Sequence, residues 1–425
     1  MSTDWLPPEL PQLARLLDPH EMEQIMASEP FAGSGFSALR LERIRYRPGR
    51  NCLITWSASV ERIRGPHRTH FSILACRAGE SGSYVNPTGP PTIEMATGSI
   101  HLPGIDAIIW IFPHDRKLRG ITAVDNPSAL LADLALELED VDLPETPKRL
   151  EVVQFVAERA CTVRLKLRDG RSWAYGKFYR PGESRAPWEL INRLWRSEVC
   201  QSGQLVIPAP LAHHPATASV WLQGLEGPPL DLGRDGGQLY ETGRTLARLH
   251  ATPLEGLAEI TGTELAAQLR RSIETIVMVC PDLRERLEAL AGSLAPIGIG
   301  PPVTLHGDLH LKNIFRLGEG RIALIDLDNM VSGDRWLDLA SLAGYLGYHG
   351  LVMQIEPRET DCQINQFRRG YESAAGQVIE ESHWRRMVAH ALLAERGYRC
   401  VTRLKPNLRV DLERLLVMAE RLVQS

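Results

Sequence analysis

The sequence predicts an α+β protein whose strands gather in the first half and whose helices fill the second. Three observations predict it. Several runs between residues 41 and 179 alternate apolar and polar side chains, as in an antiparallel sheet with one buried face. This strand-rich half repeats itself at an offset of 109 residues. From about residue 240 onward the apolar residues instead recur every three or four positions, the stripe of a helix packed on a core.

Taken in order, "LERIRYRPGRNCLITW" (41–56) aligns without gaps on "LEVVQFVAERACTVRL" (150–165). Leu41/Leu150, Glu42/Glu151, Arg50/Arg159 and Cys52/Cys161 are identical, and Ile44/Val153, Tyr46/Phe155 and Ile54/Val163 keep their character. Upstream, "LPQLARLLDP" (10–19) and "LRGITAVDNP" (118–127) share Leu and Pro; downstream, "CRAGES" (76–81) matches "YRPGES" (179–184). Collinear matches of this kind mark a duplication. In the second copy "RDGRS" (168–172) supplies an Asp-Gly turn and "WAYGKFY" (173–179) the next strand. Matching the two "GES" segments sets Leu74 opposite Lys177. "AIIWIFPHDRKLRGI" (107–121) reads as the closing strand of the first copy and the link to the second.

A helix opens near Pro187, with Trp188, Ile191, Leu194, Trp195 and Val199 along one face. "ASVWLQGLEGPPLDL" (218–232) is a short apolar strand ending in Gly and Pro. Helical stripes follow at Leu246 and Leu249, at Leu265, Leu269, Ile273 and Ile276, and at Leu283, Leu287, Leu290 and Leu294. Residues 363–425 are again helical, broken near Lys405-Pro406-Asn407.

At 425 residues the chain holds two or three structural units. A net charge of −4 leaves no basic footprint for nucleic acid. Seven scattered cysteines without a CxxC pair read as free thiols in a reducing compartment. The opening "MSTDWLPPELPQL" has no signal pattern, and no apolar run approaches membrane-spanning length. The expectation is a cytoplasmic protein without a membrane partner.

The chemistry concentrates in "LHGDLHLKNIF" (305–315), followed by "IDLD" (325–328). His306, Asp308 and Asn313 share one loop, and Asp326 and Asp328 follow the apolar run "IALI". An acid and an amide five residues apart, with a carboxylate downstream, can orient a hydroxyl and ligate a hard cation. Mg²⁺ takes such oxygen ligands and usually keeps phosphates among them.

These residues, with "NMVSGDRWLDLAS" after them, resemble the signature of the aminoglycoside phosphotransferase-like small-molecule kinases. The resemblance implies a protein-kinase-like two-lobed fold, with an antiparallel β N-lobe and a mainly helical C-lobe. It implies that Asp308 is catalytic, that Asn313 and Asp326 hold Mg²⁺, and that His306 and Asp338 support the loop. Lys177 stands where the family's ATP-phosphate lysine would be. Glu189 is the candidate that holds it, with Glu198 the other choice. Gln223 and Leu225 fall where the family's hinge meets adenine through backbone groups. Asp328 is left open between metal and solvent.

Residues 1–117 then read as a degenerate N-lobe-like module, 118–225 as the kinase N-lobe and 226–425 as the helical C-lobe. The first copy has Leu74 where a phosphate would need a cation. No Gly-rich loop occupies the first turn of the second copy, "VAERAC" (156–161), where Arg159 reads equally as a phosphate contact or a surface side chain. That departure leaves ATP and GTP both open. It also sustains an alternative, a catalytically impaired nucleotide-binding regulatory protein of the same fold. Asp338 lies only twelve positions after Asp326, too few for the activation loop of a protein kinase. The implied activity is ATP- and Mg²⁺-dependent transfer to a hydroxyl of a small molecule: a sugar, amino sugar, antibiotic or other metabolite. Residues 351–425 carry 12 Lys+Arg against 10 Asp+Glu, which favours a neutral or anionic acceptor. Oligomeric state is not legible.

Overall fold

A computed structural model describes residues 6–27, 36–60, 67–84, 99–138, 149–235, 237–294 and 300–424. Met1–Trp5, where the signal-free reading begins, lie outside the described residues. The chain divides into two units: 1–185 with 211–221 and 402–406, and 186–210 with 222–401 and 407–425.

The first unit holds two five-stranded sheets of one topology. The first sheet contains β1 (Phe36–Arg47), β2 (Asn51–Val60), β3 (His67–Cys76), β4 (Ser99–Leu102) and β5 (Ala107–Ile111) in the order β1-β2-β3-β5-β4. The second contains β6 (Arg149–Val156), β7 (Ala160–Lys166), β8 (Ser172–Phe178), β9 (Pro210–His214) and β10 (Ser219–Gln223) in the order β6-β7-β8-β10-β9. The duplication expected from the sequence extends to the register. Leu41 pairs Trp56 and Tyr46 pairs Cys52; in the second copy Leu150 pairs Leu165 and Phe155 pairs Cys161. A bulge interrupts each first hairpin, between Leu41 and Arg43 and between Val152 and Gln154. Leu53 pairs Leu74, and its counterpart Thr162 pairs Lys177, so Leu74 does hold the lysine's place.

The match continues beyond the sequence identities. A Pro-initiated 3-10 turn and a left-handed residue, Asp106 or Ala218, precede the closing strand of each sheet. The carbonyl of that residue accepts the N–H of Cys76 in one copy and of Tyr179 in the other, at 2.9 Å each. Ser81 bonds His101 and Ser184 bonds His213, both at 3.0 Å. One apolar core serves both sheets, with Leu53, Leu74, Ile108 and Leu118 packed among Phe155, Val163, Phe178 and Trp221. Leu74 is fully buried there. An apolar side chain at that position is a packing element, and burying it fully is worth roughly 1.5–3 kcal/mol.

The second unit is mainly helical, including Gln238–His250, Gly262–Val279, Arg284–Leu294, Trp336–Met353, Pro357–Ala375, Glu381–Ala391 and Leu408–Gln424. The apolar stripes read from the sequence face one shared core: Leu246 and Leu249, Leu269 and Ile276, Leu287 and Leu290. Helix 262–279 starts sharply because Thr261 and Glu264 form a reciprocal capping box. No helix among the described residues is long and apolar enough to cross a membrane.

Candidate active site

Two small ribbons in the second unit build the site. β11 (Pro302–Leu305) pairs antiparallel with β14 (Val331–Asp334), and β12 (Ile314–Arg316) with β13 (Ile322–Leu324). The chain leaves β11 into loop 306–313, turns through the β12–β13 hairpin, and crosses 325–330 before β14. Two hydrogen bonds tie the loops together: His306 Nε2–H donates to the Ile325 carbonyl at 3.0 Å, and the Ile325 N–H donates to the Asn313 carbonyl at 3.0 Å.

Asp338 braces this arrangement. It lies in the first turn of helix 336–353 and is 2 % exposed. Its carboxylate accepts the N–H groups of His306 (2.6 Å) and Gly307 (3.0 Å) and Nε2–H of His250 (3.1 Å). Burial alone would raise its carboxyl, but the bond from His250 and the charges and N–H groups around it hold it below the ordinary value. His250 is set in turn by Tyr371, whose hydroxyl donates to Nδ1 at 2.9 Å. Gly307 has φ +78°, and a Cβ there would collide with the Asn329 carbonyl, so glycine is required.

The loop so held presents Asp308. Arg399 Nη2 donates to its carboxylate at 3.2 Å, and His310 Nε2 lies 4.0 Å away. Burial pushes the Asp308 carboxyl up, and Arg399 and His310 outweigh it, leaving the group below the usual carboxylate range. Burial pushes the His310 imidazole down. Asn313 is buried, and its Nδ2 donates to the Asp308 carbonyl at 3.0 Å, which leaves Oδ1 for a cation. Asp326 takes a left-handed conformation (φ 61°) and opens the 3-10 turn Leu327–Asn329 that contains Asp328. Both aspartates are partly exposed. Among the described residues no group of three or more His, Cys, Asp or Glu is arranged to hold a metal unaided. An amide oxygen and a carboxylate fit a cation that brings phosphate ligands with it.

The other sequence candidates are more dispersed. Lys177 lies on β8 in the strand-rich unit, its ammonium 5.7 Å from the Tyr179 ring centroid. Glu189 is exposed on helix Arg185–Trp195, and Glu198 is exposed in the first turn of the short helix Glu198–Gln201. Gln223 ends β10, and its N–H is donated to Ala209 at 2.8 Å, so only its carbonyl remains for a ligand. Leu225 follows in irregular backbone. Arg159 is an exposed residue of the β6–β7 turn.

Sequence reasoning missed two groups of residues. The first is an aromatic and cationic cluster beside Asp308. The Tyr345 ring is flanked by His310 (centroids 6.3 Å apart) and His349 (6.0 Å), with the Arg396 guanidinium 5.3 Å from its centroid. Arg396 belongs to a π-helical turn, Leu392–Gly397, just before Arg399. Such turns recur at functional sites. His310 Nδ1, His349 Nδ1 and Arg396 Nε are buried without a hydrogen-bond partner among the described residues. The available signal was two arginines three residues apart in a helical segment.

The second missed residue is Glu158, in the turn where a Gly-rich loop would be expected. It is 2 % exposed, and its backbone is left-handed (φ 60°), like that of the exposed Gly49 at the matching place in the first copy (φ 68°). Its carboxylate meets Arg45 (3.1 Å), Arg47 (3.2 Å), Arg116 (2.6 Å) and Lys117 (3.3 Å). Asp115 accepts its N–H and Arg180 donates to its carbonyl.

A strand-rich unit with Lys177 on the third strand of its second sheet, and a helical unit with an Asp-bearing loop, define a kinase-like fold. Residues 164–387, just over half of the chain, match the phosphotransferase enzyme family, and the chain belongs to that family. Among solved structures it is similar to choline kinase from Cryptosporidium parvum Iowa II, at 10% identity and a TM-score of 0.51, over 70% of this chain and 96% of that one. It is also similar to a choline/ethanolamine kinase family protein from Mesorhizobium loti, at 16% identity and a TM-score of 0.48, over 70% of this chain and 95% of that one. Amicoumacin kinase hAmiN gives 14% identity and a TM-score of 0.48, over 71% of this chain and 96% of that one. At such identities the likeness concerns the fold. No curated protein is significantly similar in sequence.

Proposed function

We propose that this chain transfers the γ-phosphoryl group of ATP to a hydroxyl of a small molecule, with Mg²⁺. The observation that carries the reading is the loop locked by Asp338, which holds Asp308 and Asn313 in one bonded unit with the segment leading to Asp326. In this reading Asp308 orients the acceptor hydroxyl and receives its proton. Asn313 Oδ1 and the Asp326 carboxylate hold Mg²⁺, which when bound neutralises charge on the phosphates. Lys177 takes the phosphates, with Glu189 as its holder. The Gln223 carbonyl and the Leu225 N–H meet adenine. His306 and Asp338 act on the loop and not on the substrate. Phosphoryl transfer asks a protein mainly for such positioning and charge neutralisation.

The acceptor is a neutral or anionic alcohol. Arg399 already pairs with the Asp308 carboxylate, which leaves that carboxylate little charge to offer a cationic acceptor. The unpaired nitrogens of His310, His349 and Arg396 offer polar contacts for such a molecule. A phosphate-transfer screen across hydroxylated metabolites and antibiotics, read by mass spectrometry, tests the reading. Transfer to a neutral or acidic alcohol, lost in Asp308→Ala, is expected. Nucleotide binding with no transfer to any acceptor class would favour the impaired regulatory alternative.

A further inference from the structure

The strand-rich unit holds a cavity that phosphoryl transfer does not use. It has a volume of about 500 Å³ and opens at the β1–β2 turn. Arg47, Arg50, Arg77 and Lys117 line it, against one lining carboxylate, Glu80. Glu80 pairs with Arg77, while Arg47 and Lys117 share Glu158 with Arg45 and Arg116. Arg50 has no ion-pair partner among the described residues. The nearby acids Asp115 and Glu9 accept from backbone N–H groups and from the Tyr46 hydroxyl. Four cations about one cavity repel each other, and a multiply charged anion would relieve that repulsion.

The neutral part of the wall is polar and ordered. Asn51 accepts from Arg47 and donates to the Tyr84 hydroxyl, both at 3.3 Å, and the Arg116 guanidinium lies 5.3 Å from the Tyr84 ring centroid. The position also matters. By the internal repeat, this turn is the counterpart of the β6–β7 turn, the place that covers phosphates in a kinase N-lobe. In the second copy a buried carboxylate, Glu158, occupies it. In the first copy the equivalent residue is Gly49, with nothing within 4 Å of where a Cβ would be. The turn of the first copy thus has no carboxylate at this place and carries Arg47 where the second copy has Val156, while Arg50 keeps the place of Arg159.

We propose that this cavity is a binding site for a small phosphate-bearing anion, of which pyrophosphate is a minimal member, separate from the nucleotide site. Guanidinium forks match phosphate oxygens bidentately, and a volume of this size suits a small metabolite.

Calorimetric titration of the full chain with pyrophosphate at low salt tests this, with Arg50→Glu, Arg77→Glu and Lys177→Met as variants whose folding is checked by thermal melting. Binding of one equivalent is expected, weakened by added salt. Either charge reversal should weaken it by about tenfold or more, and Lys177→Met should bind as the wild type does. The proposal is overturned if the wild type takes up no pyrophosphate, if both reversals bind like the wild type, or if Lys177→Met loses the binding, which would assign it to the nucleotide site.

Discussion

Replacing Glu158 probes both its charge and its backbone. Its carboxylate is almost fully buried and is shared by four cations that are themselves mostly covered. Deleting one side of a buried ion pair costs about 3–5 kcal/mol, because the partners remain without their counter-charge. Glu158→Ala should therefore destabilise the strand-rich unit by about that amount. The backbone contributes separately. At φ 60° an L-residue carries a penalty of about 1–2 kcal/mol that glycine does not. Glu158→Gly should then be less damaging than Glu158→Ala by about 1 kcal/mol, the reverse of the usual order within a strand or helix. Urea unfolding of the full chain, followed by a probe of the β-rich transition, measures both. The acid side gives an independent reading. Burial works to raise the Glu158 carboxyl, but Arg116, Lys117 and Arg47 outweigh it, so its folded pKa lies below the ordinary 4.5. Its contribution is therefore present in full above pH about 4.5 and is lost as the pH falls through the folded pKa. Glu158→Gln should flatten that part of the stability profile. A cost below about 1 kcal/mol for Glu158→Ala, or an alanine variant at least as stable as the glycine one, would refute the reasoning.

Four further outcomes are expected. Asp308→Ala should lower turnover by roughly 10²–10⁴-fold while a non-hydrolysable ATP analogue still binds; more than about a tenth of wild-type turnover contradicts the assignment. Arg399→Ala should raise the Asp308 pKa by removing the cation beside it, moving the acid limb of the kcat/KM profile to higher pH; an unmoved limb means that Arg399 does not govern Asp308. Asp326→Ala should make analogue binding insensitive to Mg²⁺ where the wild type responds to it, and a variant that still responds would show Asp326 to be a bystander. Lys177→Ala should raise KM for ATP without unfolding the protein, whereas Leu74→Ala should cost about 2–5 kcal/mol of stability and leave KM of the folded enzyme alone. An equal KM defect in both would end the distinction between the two copies.

Much of the fold was legible because its signals are local. Alternation marked β2, β7 and β8, helical spacing marked the stripes of the second unit, and one ungapped self-match carried the duplication down to strand register. The loop candidates were legible because the chemistry needs His306, Asp308, Asn313 and Asp326 at short spacing. The Leu74–Lys177 correspondence also held, since the repeated "GES" segments flank both strands. Long-range partners were not legible. Nothing adjacent to Asp338 announces His250, 88 residues away, and nothing near Asp308 announces Arg399, 91 residues away. The π-helical turn that carries Arg396 looks in sequence like any helix.

By itself the sequence determined the α+β organisation and the duplicated sheet, and it pointed to the residues proposed to orient a hydroxyl and hold a cation. These follow from side-chain periodicity and from the chemistry of residues close together in the chain. Only the tertiary structure decided what each of them meets. It buried Asp338 against three donors, set Arg399 and His310 beside Asp308, and gave Glu158 four cations from the first copy and the link. The same glutamate at the surface would be one more solvated charge. Its partners come from strands and a linker about 40 to 110 residues away, and burial, which raises the strength of every charge interaction within reach, exists only once those segments have come together.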